Sequence, residues 1–170
     1  MSARLLIVGV GNVLRGDDGF GIEAAHRLMA RDDVPEGVKV IETGIGGISL
    51  VQELMDGYDA LLLLDAVDRG LAPGTLVLLE AEVPDIDDLS PMERQDFLAD
   101  MHFANPNRAL MLARALGALP PLVYILGCQS GAHDDFVWGM SESVNEAVPA
   151  AVERSLSWIA QQRQRVSTPS

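Results

Sequence analysis

The sequence predicts a three-layer α/β/α domain built on a mostly parallel, twisted sheet of about five strands, with one edge strand antiparallel. Short apolar runs separated by turn signals alternate with segments of helical period, the pattern of repeated βαβ units. The chain is 48% hydrophobic but only 5% aromatic, and is rich in Leu, Val and Ala. That composition suits parallel strands covered on both faces better than an aromatic-rich β-sandwich. Finally, a Pro73-Gly74 turn leads into TLVLLE, a short run suited to an antiparallel edge.

The elements follow in order. Arg4 to Val8 reads as the first strand, and Asp17 to Ala30 as the first helix. Acids occupy that helix's first turn, and Ile22, Ala25, Leu28 and Met29 are spaced for one buried face. Val38 to Ile41 forms the second strand, GIGG at 44 to 47 turns the chain, and a helix follows near Ser49 to Met55, stopped by Gly57. Ala60 to Leu64 is the most apolar strand. Residues 81 to 100 carry many acids and two prolines without a sustained apolar stripe, which predicts a long surface excursion of the kind that is often functional.

Asn105 and Pro106 supply an N-cap and first helical position, Ala109, Leu110, Ala113 and Leu116 an apolar face, and Gly117 a terminator. Leu122 to Leu126 is the last strand, followed by a loop from Gly127 to Met140. Ser143 and Glu146 make a capping box for a final helix that Pro149 should kink or divide. A length of 170 residues suits one domain, here 1–160, with a polar, frayed tail at 161–170.

The formal charge is −13, from 25 acidic residues against 12 Lys plus Arg. Such a surface repels phosphate backbones and anionic lipid, so nucleic acid is excluded as an expected partner, and a cationic or metal-bearing one is favoured. The apolar runs are far shorter than the roughly 20 residues of a membrane-spanning helix, so no membrane insertion is expected. One cysteine, Cys128, and no signal-peptide pattern at the N-terminus point to the cytoplasm.

The stretch GVGNVLRGDDGFG at 9 to 21 invites a dinucleotide reading, because a glycine turn follows a strand. The third glycine of G-x-G-x-x-G is replaced by Leu14, however, and Asp17 and Asp18 stand where a pyrophosphate would need a positive potential. No G-K-[ST] occurs, so a phosphate loop of the Walker type is also absent.

In open α/β sheets, ligands bind beyond the carboxyl ends of the strands. Asp18 follows the first strand, Asp65 ends the third and His102 leads into a later helix, so all three can open onto one rim. Two carboxylates and an imidazole form a partial shell for a divalent transition metal. Spacing alone leaves other roles open: helix capping for Asp17 and Asp18, a loop hydrogen bond for Asp65, a surface position for His102. Cys128 with His133, Asp134 and Asp135 resembles a nucleophile group, but a lone Cys at a strand end more often packs than reacts. Ser49 lacks a nucleophile-elbow context, and His26 reads as a surface residue.

The combined pattern resembles the maturation proteases of nickel-iron hydrogenases: GVGNVLRGDDGFG after an N-terminal strand, ETGIGG after the second, LLLLDAV ending the third, a histidine before a helix closing in A-R-x-L-G, and LGCQ like the family's G-x-Q. Members remove a short C-terminal peptide from the hydrogenase large-subunit precursor after nickel insertion. The resemblance implies that Asp18, Asp65 and His102 contact nickel and form the catalytic set. It implies too that nickel is supplied by the substrate rather than permanently bound, and that Asp17, Glu42, Gly44, Gly46 and Gly47 shape or line the substrate site. It leaves the mechanism as aspartic-type or metal-assisted. Where many relatives carry Glu, this chain has Asp18, one methylene shorter; where many carry D-G-G-T, it has Glu42, Thr43, Gly44 and Ile45. A small hydrolase with its own metal ion, and a non-catalytic nickel or hydrogenase assembly chaperone, are the rival expectations.

Overall fold

The computed structural model describes residues 3–11, 13–43, 47–99, 106–131 and 139–167. Five strands, β1 (Leu5–Val10), β2 (Val38–Thr43), β3 (Ala60–Val67), β4 (Leu76–Glu80) and β5 (Leu122–Gln129), form one sheet in the order β2-β1-β3-β5-β4. All neighbouring pairs are parallel except β4 with β5, which is antiparallel and puts β4 at the edge. The expected architecture and its antiparallel edge are therefore present.

Successive strand residues point to opposite faces, so an apolar run fills two cores at once. Leu5, Ile7, Leu62, Leu64, Leu126 and Cys128 face α1 (Phe20–Met29) and α5 (Glu142–Ser167). Leu6, Val8, Val10, Leu61, Leu63 and Val123 face α2 (Ile48–Leu54) and α4 (Pro106–Ala115). Trp158 of α5 is buried and meets the Tyr124 ring edge-on at 6.0 Å between centroids. The start of α1 lies directly on the sheet: a Cβ on Gly21 would fall 2.1 Å from the Leu64 carbonyl oxygen and 2.4 Å from that of Val10.

Several boundaries differ from expectation. The strands β1, β2, β3 and β5 run on by two or three residues, because the ladders continue through Gly9↔Glu42 and Val10↔Thr43 and through Asp65↔Gly127, Ala66↔Cys128 and Val67↔Gln129; a polar side chain does not interrupt backbone pairing. The α-helix expected from Asp17 begins at Phe20, and Val13–Gly19 is a 3-10 segment instead. Gly16, just before the expected start, adopts φ +59°, a left-handed turn that glycine takes at no steric cost.

The excursion at 81 to 100 contains a helix, α3 (Pro91–Ala99). Ser90 Oγ accepts from the Glu93 N–H at 3.1 Å, so Ser90 is the N-cap, with proline at the first helical position. After α4, Gly117 takes φ +72° and the Ala118 N–H donates to the Ala113 carbonyl at 2.8 Å, the closure expected of a terminating glycine. The final helix starts at Glu142, one residue before the expected cap. It passes Pro149 undivided and continues to Ser167, with Gln162 only 4% exposed. Packing of Val148, Ala151 and Val152 outweighs the one backbone bond the proline removes.

Candidate active site

The carboxyl ends of β1, β2, β3 and β5 share one rim, as parallel pairing requires. Asp65 lies in the last third of β3 and follows Leu61 and Leu63 on the face covered by α2 and α4. Asp18 comes from the 3-10 segment after β1. That segment folds back tightly: Gly11 has φ +148°, and a Cβ there would lie 1.9 Å from the Asp18 carbonyl oxygen, so only glycine fits.

Burial pushes the Asp65 carboxyl up to about 7, the neighbouring Asp18 charge adds to the rise, and a hydrogen bond from the Ala66 N–H opposes it. Two carboxyls held together in a half-buried place retain a proton that a cation can replace. Asp18 thus lies within electrostatic reach of Asp65. His102, Gly44 and Gly46 lie outside the described residues. Among the described residues, no group of three His, Cys, Asp or Glu side chains is arranged to hold a metal.

Asp17 is held by other partners. It is 7% exposed and its oxygens accept from the Gly131 N–H at 2.7 Å, the Ser141 N–H at 2.6 Å and the Ser141 hydroxyl at 2.9 Å. Both oxygens are thereby engaged within the protein, the geometry of a residue that shapes the opening loop. The carboxylate also sits at the start of α5, where the helix dipole favours negative charge.

Glu42 takes up the opposite face of the sheet. It is exposed and paired with His26 of α1, so the surface histidine has a partner. Gly47 is buried and precedes the first turn of α2 with φ −76°. Cys128 is fully buried, and its thiol is pushed up to about 11 by burial and by the Asp17 charge; it packs rather than attacks.

Gln129, noted in the sequence only as part of LGCQ, is 4% exposed and fully engaged. Its Oε1 accepts from the Arg69 N–H at 2.7 Å and the Leu71 N–H at 3.3 Å; its Nε2 donates to Asp68 Oδ1 at 3.1 Å and the Ser130 carbonyl at 3.0 Å. Ser141 likewise had no sequence signal, since its role depends on Asp17, 124 residues away.

The profile of the HycI family, described as hydrogenase maturation protease, matches residues 22–158. The hydrogenase expression/formation protein HupM of Azotobacter chroococcum is 35% identical over 169 residues, covering 99% of this chain and 77% of the relative. A putative hydrogenase maturation protease of Methanocaldococcus jannaschii is 33% identical over 157 residues, covering 88% and 92%. Among solved structures, the hydrogenase maturating endopeptidase HybD from E. coli superposes with a TM-score of 0.75 at 24% identity, covering 94% of this chain and 93% of that one. The hydrogenase 2 maturation peptidase from a Thaumarchaeota archaeon gives 0.66 at 30% identity, covering 92% and 98%.

Proposed function

Because the chain belongs to the hydrogenase maturation protease family, we propose that it is an endopeptidase that removes a short C-terminal peptide from the nickel-loaded precursor of a nickel-iron hydrogenase large subunit. Asp18, Asp65 and His102 contact the nickel that the precursor brings. The observation that carries this reading is the Asp18 and Asp65 pair, two carboxyls at one rim with Asp65 raised to about 7. Their oxygens would hold a divalent cation in place of a retained proton. Nickel accepts carboxylate oxygen and imidazole nitrogen while keeping thiolate ligands from the precursor.

This chain's residues then have distinct tasks. Asp17 fixes the 3-10 segment that presents Asp18 by holding it to Gly131 and Ser141. Gly44, Gly46 and Gly47 are assigned to the substrate because a glycine without a side chain lets a substrate backbone come close. The buried Cys128 thiol is unsuited to attack; a water near the carboxylate pair would serve as nucleophile, and nickel held by these residues would supply Lewis-acid polarisation. No helix among the described residues is long and apolar enough to cross a membrane, and the reaction belongs in the cytoplasm with the unprocessed precursor.

Mass spectrometry of the precursor, with and without nickel, tests the proposal directly. Incubation with the protein should shorten only the nickel-loaded form at its C-terminus. Equal shortening of the nickel-free form would remove the metal from recognition, and no shortening of either would sink the activity. Metal analysis separates the rival hydrolase, since a stoichiometric ion surviving dialysis would make nickel the protein's own.

A further inference from the structure

We infer that Gln129 is a positioning residue that holds the loop Asp68–Leu71 as a preformed wall of the substrate site, next to Asp65; the inference rests on the peptidase reading above. The loop leaves β3 immediately after Val67, the register partner of Gln129, and therefore begins three residues past Asp65. The side chains of Asp68, Arg69 and Leu71 are exposed, with Leu71 39% accessible, so burial of these side chains does not set the loop's shape.

The backbone is fixed instead by one buried amide. Gln129 accepts from the N–H groups of Arg69 and Leu71 and donates to the Asp68 carboxylate and the Ser130 carbonyl. Its own N–H donates to the Thr75 carbonyl at 2.8 Å, and its carbonyl accepts from the Gly74 N–H at 2.8 Å. On the other side, the Ser130 N–H donates to the Val67 carbonyl at 2.9 Å. Both ends of the loop are thus stapled to Gln129, the last residue of β5, and to Ser130 just after it.

A segment whose backbone is locked while its side chains stay outward is pre-organised for contact, because only its side chains remain to be ordered on binding. On a chain of charge −13 the loop offers an arginine and a leucine four and six residues beyond Asp65. These suit a peptide segment with a carboxylate or carbonyl near an apolar side chain. Gln129 acts through this loop and touches no substrate itself.

The test is the binding and cleavage of nickel-loaded large-subunit precursor by wild type, the double variant Arg69→Ala/Leu71→Ala, Gln129→Glu and Gln129→Glu/Asp68→Asn. The exposed double variant should unfold at the wild-type temperature yet raise Kd and KM roughly tenfold with little change in kcat, the signature of lost docking. Gln129→Glu places two carboxylates together at Asp68 and should raise KM similarly; adding Asp68→Asn restores a donor facing an acceptor and should recover much of the loss. Wild-type Kd and KM in the Arg69→Ala/Leu71→Ala variant would overturn the inference. So would a Gln129→Glu protein that loses stability but binds and cuts normally when folded. A wild type that binds the precursor without cutting it defeats the peptidase reading alone, with Kd still deciding the wall; a wild type that does not bind defeats both.

Discussion

Replacing Asp17 by alanine withdraws the acceptor from two backbone N–H groups and one hydroxyl that lie 114 and 124 residues further along the chain. The three contacts measure 2.6 to 2.9 Å, short distances proper to a charged acceptor. Hydrogen bonds to charged groups contribute about 1.5–3 kcal/mol each, but they are coupled, and water entering the space left by the carboxylate offsets part of the loss. Losing the negative charge at the start of α5 removes a further ~0.3–1 kcal/mol. The net expectation is a destabilisation of roughly 3 kcal/mol, which for a chain of this size lowers the midpoint by about 6–12 °C. Thermal and urea unfolding followed by circular dichroism measure it, with Asp17→Asn as the isosteric comparison that keeps one acceptor oxygen and should lose less. A midpoint within about 1 °C of wild type for Asp17→Ala would show that the tie between the opening loop and α5 carries no stability, and the positioning of Asp18 would need another source.

Three further outcomes follow from the same geometry. Asp65→Asn should abolish processing while leaving the fold intact, and its stability relative to wild type should rise with pH. The raised folded value of about 7 means that the native state keeps a proton the unfolded chain has already lost. Wild-type stability is therefore fully expressed below the ordinary aspartate range near 4 and declines through 7; parallel unfolding curves from pH 4 to 8 check this, and equal pH slopes refute it. Cys128, fully buried and raised to about 11, should resist iodoacetamide at pH 8 in the native protein and react only after denaturation, as mass shifts would report. Gly21→Ala should cost about 3 kcal/mol or more, or prevent folding altogether, because its Cβ would fall 2.1 Å from a backbone oxygen of β3. Soluble expression with a wild-type midpoint would contradict the close seating of α1.

The sequence revealed those parts of the fold that depend on local pattern. The five apolar runs, the edge position of TLVLLE and the start of α4 at Pro106 all follow from periodicity and turn chemistry. The carboxyl ends of β3 and β5 were less legible, since Asp65 and Gln129 break the apolar pattern while their backbones stay in the ladder. The N-cap Ser90 before α3 was visible in principle, but the surrounding acids masked it. Asp18 and Asp65 could be paired from topology alone, because parallel strands put their ends on one side. The work of Asp17 and Gln129 could not, because each acts on partners fixed only when distant segments pack: Gly131 and Ser141 for one, the β3–β4 loop for the other.

The order of strands has a consequence for time as well as space. β5 lies between β3 and β4, yet it is synthesised after both, so β4 has no partner and the β3–β4 loop has no clamp until residue 129 has left the ribosome. Asp17 waits longer, for Ser141. An opening that involves Asp18 is therefore completed near the end of translation, and a growing chain carries no finished cutting site that could act before the whole domain has closed.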